Sequence, residues 1–388
     1  MIQGDANHTD VSWTPTNGVT LDVYASTDAS MTVTLTNRTY NGSGQVIAAG
    51  SNLHGVDSYK IGYRKDNSTA PSSDSDLTWG ANNGSLSATN AGTYYVYYTF
   101  TPGTGHSNSK TRELVGTVTI GKATGYATAS VSDKTYNGSA QTIATKSTNS
   151  GDYYFAYNNS STTAPTSGWG AKNTALSATN AGDYYVWMKC DEASNYNAVA
   201  AKYIGKATIG KATGSITYSV NSAVTEYCTS DSKAASTADG NRIVTVATAS
   251  ATSSTNTGVT ITYAISVKKG TTDVSGWSIS SDGKTITIPS GTSSGEYKIT
   301  ITATAPATTN YNVVNYTPLV SGQTYSSLIN LAAVVLSGIT LTLNKSSIEY
   351  GGTATATVTA QYSNNSPAVD VTSSATYTTN PENIVTIS

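Results

Sequence analysis

The sequence predicts an all-β protein built from several small sandwich modules in tandem. Chain length, residue usage and an internal repeat predict this. At 388 residues the chain exceeds one ordinary domain and suits three or four modules of roughly 100 residues. Strand-favouring Thr, Val, Ile and Tyr are abundant, and no segment carries a sustained helical stripe. Self-comparison finds a segment of about 90 residues that occurs twice.

Composition narrows the setting. Charged residues make up 11 % of the chain, against about a quarter in a typical soluble domain. Ser, Thr, Asn, Gly and Ala fill the shortfall, so hydroxyls and amides wet the surface, as in extracellular β-proteins. The formal net charge of −2 offers no field for nucleic acid or anionic lipid, and no nucleic-acid partner is expected. No apolar run approaches the ~18 residues that cross a bilayer, so no membrane insertion is expected. The opening Met1-Ile2-Gln3-Gly4-Asp5-Ala6-Asn7 has neither a basic nor a hydrophobic region and is not read as a signal peptide.

The rings are lopsided: 27 Tyr and 5 Trp against 2 Phe. A small sandwich whose core edge touches water uses Tyr in this way, burying the ring and wetting the hydroxyl. Cys190 and Cys228 are too few for a staple framework and fall in adjacent modules. Two separate thiols are favoured over a bridge, with Cys190 a small buried hydrophobe.

Thr39-Tyr40-Asn41-Gly42-Ser43-Gly44-Gln45 recurs as Thr135-Tyr136-Asn137-Gly138-Ser139-Ala140-Gln141. Leu86 through Val96, containing Asn90-Ala91-Gly92-Thr93-Tyr94, recurs as Leu176 through Val186, containing Asn180-Ala181-Gly182-Asp183-Tyr184. Trp79 and Trp169 sit at equivalent positions, and each copy closes on Ile-Gly-Lys-Ala-Thr, at Ile120 and at Ile209. The next segment keeps echoes: Gly295-Glu296-Tyr297, and Asn310-Tyr311-Asn312 matching Asn195-Tyr196-Asn197. Within it, Ser281-Asp282-Gly283 joins two strand patterns and predicts a tight hairpin.

Alternation after Gly-x-Tyr assigns faces. Tyr297, Ile299 and Ile301 point inward, and the same phase puts Tyr94, Val96, Tyr98 and Phe100 inside the first copy. In the second it buries Tyr184, Val186, Met188 and Cys190. Tyr95 and Tyr97, then Tyr185 and Trp187, fall on the outward face. An exposed row of rings can stack on sugars or pack on a neighbouring chain; the competing reading is cross-strand bracing on a solvated sheet. Trp79 and Trp169 are read as structural.

The Gly-x-Tyr element resembles the tyrosine corner of immunoglobulin-like sandwiches, with Val96, Val186 or Ile299 where a disulfide cysteine would stand. The series Thr-Tyr-Asn-Gly-x-x-Gln, Asn-Ala-Gly-x-Tyr-x-Val, Asn-Tyr-Asn and Ile-Gly-Lys-Ala resembles the MBG domain, strongly over about 29–213 and loosely over 214–336. Gly338 through Ser347 with Tyr350-Gly351-Gly352 looks like a bacterial immunoglobulin-like group 2 domain. Both resemblances imply spacing and adhesion modules of bacterial surface proteins, and neither implies a catalytic site.

Enzyme chemistry finds little footing. His8, His54 and His106 fall in unrelated segments without ligand spacing and are read as surface loop residues. No phosphate-binding loop or His-Glu-x-x-His occurs. Ser72-Ser73-Asp74-Ser75-Asp76 offers two carboxylates where calcium wants more oxygens, so a solvated loop is favoured. No catalytic residue, metal site or cofactor is expected.

The expected architecture is therefore an extended rod of immunoglobulin-like modules: an anchoring or linking segment 1–28, sandwiches at 29–122, 123–213 and 214–336, and an incomplete domain at 337–388, beyond which the natural chain is expected to continue. The expected function is non-catalytic, structural and adhesive. A bacteriophage virion fibre is favoured, with a bacterial cell-surface adhesin or stalk as the alternative. Accessory modules of a larger glycan-active enzyme are a third reading. Expected partners are other virion or fibre proteins through the N-terminal segment, host-surface glycans, or further copies of the chain.

Overall fold

The computed structural model describes residues 27–228, 240–365 and 367–378. Among these the regular elements are strands, apart from single 3-10 turns at Asp74–Asp76 and Thr372–Ser374. The segment 1–26, with His8, and the closing Asn383 to Ser388 lie outside the described residues. Two compact units result, and their boundary runs through the second repeat. The first holds the chain to Ser132 with Thr142–Ser177 and Asp183–Ala207; the second holds Asp133–Gln141, Ala178–Gly182 and everything from Thr208.

In the first unit, the first repeat forms two facing sheets. One orders Ser30–Leu35, Gln45–His54 and Leu86–Ala88; the other orders Arg38–Thr39, Lys110–Gly121, Gly92–Pro102, Val56–Lys65 and Thr78–Trp79. Alternation along each strand drives one face inward, so Ile47, Ile61, Leu86, Tyr94, Val96, Phe100, Val118 and Ile120 form a common core. The predicted phase holds for Tyr94, Val96 and Phe100, whereas Tyr98 is only half-buried at the core margin. The second repeat reproduces the plan: Tyr153–Asn158 pairs antiparallel with Gly182–Cys190, setting Phe155 opposite Met188 and Tyr157 opposite Val186. Val186, Met188 and Cys190 are buried there as expected, whereas Tyr184, placed inside with them, is only half-buried. Cys190 and Cys228 are both buried thiols outside any disulfide; the Cys190 sulfur accepts from the Gly151 N–H, and its S–H donates to the Gly151 carbonyl.

The Gly-x-Tyr element is a tyrosine corner in geometry. Tyr94 Oη donates to the Asn90 carbonyl, and Tyr297 Oη donates to the Ser293 carbonyl at 2.6 Å. Its glycine is required: Gly92, Gly182 and Gly295 take φ of 153°, 156° and 135°, a region side chains rarely enter. Burial pushes the Tyr94 phenol up to about 12.

In the second unit, residues from 216 to 331 form another immunoglobulin-like sandwich. One sheet is ordered Ala223–Tyr227, Ser327–Ala332, Gly295–Ala305, Thr262–Lys269 and Thr272–Val274, with Val314–Tyr316 also on Gly295–Ala305. The other is ordered Arg242–Thr245, Thr285–Ile288 and Ser278–Ile279. Ile286, Ile288, Tyr297, Ile299, Ile301, Ile329 and Leu331 fill the core. The expected hairpin is present: Ile279 faces Ile286, and Gly283 N–H closes the turn on Ser280 O at 2.9 Å. Beyond it, Leu336–Leu343, Ala356–Tyr362 and Val369–Asp370 make a three-stranded sheet.

Consecutive repeats are joined by backbone. Ala123 N–H donates to Asn195 O and Asn197 N–H to Ala123 O, both at 2.9 Å, forming a parallel bridge between Ala123 and Tyr196. Ala212 repeats this with Asn310 O and the Asn312 N–H, again at 2.9 Å. Each linker is thus pinned by a single β-bridge against the module that follows.

Candidate functional site

The outward face of the tyrosine-rich strand is the surface on which sequence placed Tyr95, Tyr97, Tyr185 and Trp187. The structure corrects that picture at two of the four. Tyr97 is 3 % exposed and Trp187 5 % exposed, while Tyr95 and Tyr185 are half-exposed. The cause is a long connection that crosses the sheet. In the first repeat, Asp74 pairs with Arg112 Nη1 at 2.8 Å. Arg112 lies on Lys110–Gly121, so the connection leaving Val56–Lys65 passes over the intervening strand that carries Tyr97. Trp79 donates Nε1–H to Asp74 O and lays its ring where a side chain on Gly62, the cross-strand partner of Tyr97, would otherwise stand.

In the second repeat the equivalent connection covers Trp187, whose Nε1–H reaches Ser160 O at 3.0 Å and Asn158 Oδ1 at 3.3 Å. Tyr203 packs on the same ring, with centroids 5.8 Å apart, and lies 6.3 Å from Tyr185. Lys189 Nζ sits over Trp169 at 4.8 Å and Tyr154 at 5.2 Å. Both Trp79 and Trp169 thus take structural positions. The face is two half-exposed tyrosines beside a covered aromatic layer, not a row of four open rings.

The acidic run is also spent internally. Asp76 accepts from both the hydroxyl and the amide of Ser72 and from the Ser73 amide. The Ser72 hydroxyl and these amides hold its carboxyl below the usual carboxylate range. Sequence missed one pairing: His54 and His106, expected in surface loops, lie on the strands Gln45–His54 and His106–Ser107 and meet edge to face at 5.3 Å. His106 Nδ1 contacts Thr27.

Open clefts among the described residues include the following pair. One, of about 400 Å³, is lined by hydroxyls and amides of 250–259 with Tyr263 and Asp282. The other, of about 820 Å³, holds Asp152 and Glu192, each already engaged by a lysine, Lys172 and Lys122 respectively. Neither sets a histidine or a thiol at its lining. No helix among the described residues is long and apolar enough to cross a membrane.

No family model and no curated protein matches the chain. Among solved structures, it is similar to the three N-terminal domains of the bacteriophage RB49 highly immunogenic outer capsid protein. That match has 11 % identity and a TM-score of 0.21, over 79 % of this chain and 99 % of that one. It is also similar to the Bacteroides ovatus SGBP-B protein of a mixed-linkage glucan utilization locus, in complex with a mixed-linkage heptasaccharide. There the identity is 15 % and the TM-score 0.17, over 84 % and 76 % of the two chains. Drosophila N-cadherin EC1-4 matches at 9 % identity and a TM-score of 0.21, over 79 % and 88 %. Scores this low carry no functional information.

Proposed function

We propose that this chain is a non-catalytic structural and adhesive protein whose immunoglobulin-like modules space and display attachment surfaces outside a particle or cell. The observation that carries the reading is the paired linkers, in which Ala123 and Ala212 are hydrogen-bonded into the following module. Modules held by ladder bonds transmit position, which a spacer needs and an enzyme does not. The polar, weakly charged surface and the carboxylates spent on local amides, Arg112 and Lys172 support the same reading.

The favoured setting is a bacteriophage virion fibre, with other virion proteins, host-surface glycans or further copies of the chain as partners. The second setting is a bacterial cell-surface stalk; low charge suits both, because no long-range repulsion opposes side-by-side association. Fractionation of the producing culture separates them. Recovery of the chain with purified particles supports the virion. Recovery with the cell envelope supports the stalk, and recovery in the soluble cytosol contradicts both.

A further inference from the structure

The repeated signatures Asn-Ala-Gly, Thr-Tyr-Asn-Gly and Asn-Tyr-Asn are only partly explained by the fold of each module. Gly92, Tyr94 and the Asn90 carbonyl build a corner within their own sandwich, but the Asn90 side chain, the Ala91 N–H and the Asn195 side chain are engaged across the junction. Asn195 Oδ1 accepts from the Ala91 N–H at 2.8 Å, and its Nδ2 donates to Asn90 Oδ1 at 3.1 Å. The Tyr196 ring stands edge-on to Tyr40, with centroids 5.3 Å apart at 83°. The next junction repeats this contact for contact. Asn310 Oδ1 accepts from Ala181 N–H at 2.8 Å, Nδ2 donates to Asn180 Oδ1 at 3.2 Å, and Tyr311 meets Tyr136 at 5.3 Å and 82°.

We infer that these motifs are two halves of one joint, with a socket on each module and a plug on the module that follows. Asn90-Ala91 and Tyr40 form the socket, and Asn195-Tyr196-Asn197 the plug; Asn180-Ala181 with Tyr136 and Asn310-Tyr311-Asn312 are the second pair. The inference goes beyond the spacer reading, because the joint exists whatever the modules display. Asn195 and Asn310 are its positioning residues. A backbone bridge at Ala123 alone leaves rotation about the linker open. A side-chain amide that both accepts from and donates to the preceding module closes off that rotation.

The linker glycines belong to the same device. A Cβ on Gly125 would lie 2.0 Å from Asn197 O, and one on Gly214 2.4 Å from Asn256 Oδ1. At Gly125 only glycine lets the linker lie this close to the plug, whereas Gly214 packs on Asn256, whose side chain donates to Asn312 O of the second plug. The partner that fits a socket is therefore a module bearing Asn-Tyr-Asn in the loop after its tyrosine strand. The first and third modules lack the complementary halves. Gly105-His106-Ser107 stands at the plug position of the first, and Ser293-Ser294 at the socket position of the third. At the last junction, Val335 N–H donates instead to the Ser363 hydroxyl at 3.0 Å. The clasp thus pairs first with second and second with third.

The test uses the whole chain with spin labels at the exposed, equivalent positions Ser87 and Ser177, introduced as Ser87→Cys and Ser177→Cys. The parent gives one narrow label-to-label distance distribution, and Asn195→Ala at least doubles its width. Hydrogen exchange is read on the same variant. Exchange at the Ala91 amide rises about tenfold, the factor expected for one lost hydrogen bond, while Val118 in the core is unchanged. Asn195→Asp keeps the acceptor for Ala91 but loses the donor to Asn90, and gives an intermediate width. An unchanged width in Asn195→Ala overturns the inference, and so does equal acceleration at Ala91 and Val118, which would make Asn195 a determinant of module stability.

Discussion

Trp187 donates its indole N–H to Ser160 O at 3.0 Å, so a ring that alternation places on the outer face is sealed by the chain's own connection. This bond decides what the outer face offers a partner. Trp187→Phe keeps most of the ring area but strands the Ser160 carbonyl, and a loss of about 1 kcal/mol is expected. Trp187→Ala also removes the packing against Tyr203 and costs about 3–5 kcal/mol. Denaturation followed by a probe in the second repeat checks both. An exposed ring would give changes within about 0.5 kcal/mol for either.

Val186 is fully buried, opposite Tyr157 on the neighbouring strand. Val186→Asp puts a carboxylate there without a partner, and a cost of several kcal/mol is expected. Loss of the second repeat's unfolding transition, with that of the first repeat preserved, is the expected calorimetric result.

Asp282 sits in the hairpin turn, where the Ser280 hydroxyl and the Lys284 amide hold its pKa near 2, below the usual 3.8. A depressed carboxyl adds stability above its unfolded pKa and loses it as pH falls through the folded one. The third module should therefore weaken between about pH 4 and 2, and Asp282→Asn should flatten that part of its pH profile. Identical profiles for parent and variant would remove Asp282 from the turn's energetics.

Tyr94 and Tyr218 show the opposite sign. Burial raises both phenols to about 12 from 10.0. The neutral phenols contribute stability that is complete below about pH 10 and is lost as pH rises towards 12. Spectrophotometric titration should show a late-ionising group of tyrosines, reduced in Tyr94→Phe.

Sequence made much of this legible, and the limit has a physical reason. Period-2 alternation fixed the buried phase of Val96, Val186 and Ile299, and Gly-x-Tyr marked the corner, because both are set within a few residues. The cover over Tyr97 depends on Asp74 reaching Arg112, a tertiary path that no local pattern encodes. The joint lay between these extremes. Its motifs were visible as repeats, but their role was not, because Ala91 and Asn195 are 104 residues apart and each looks like an ordinary loop residue in its own module.

The central claim is that these modules are displayed on the outside of a particle or cell. Electron microscopy of intact particles and unpermeabilised cells with a gold-labelled antibody against the second repeat tests it most directly. The account predicts dense labelling without any disruption, on virions in the favoured setting and on the cell surface in the alternative. Labelling that appears only after particles and cells are broken open would contradict it.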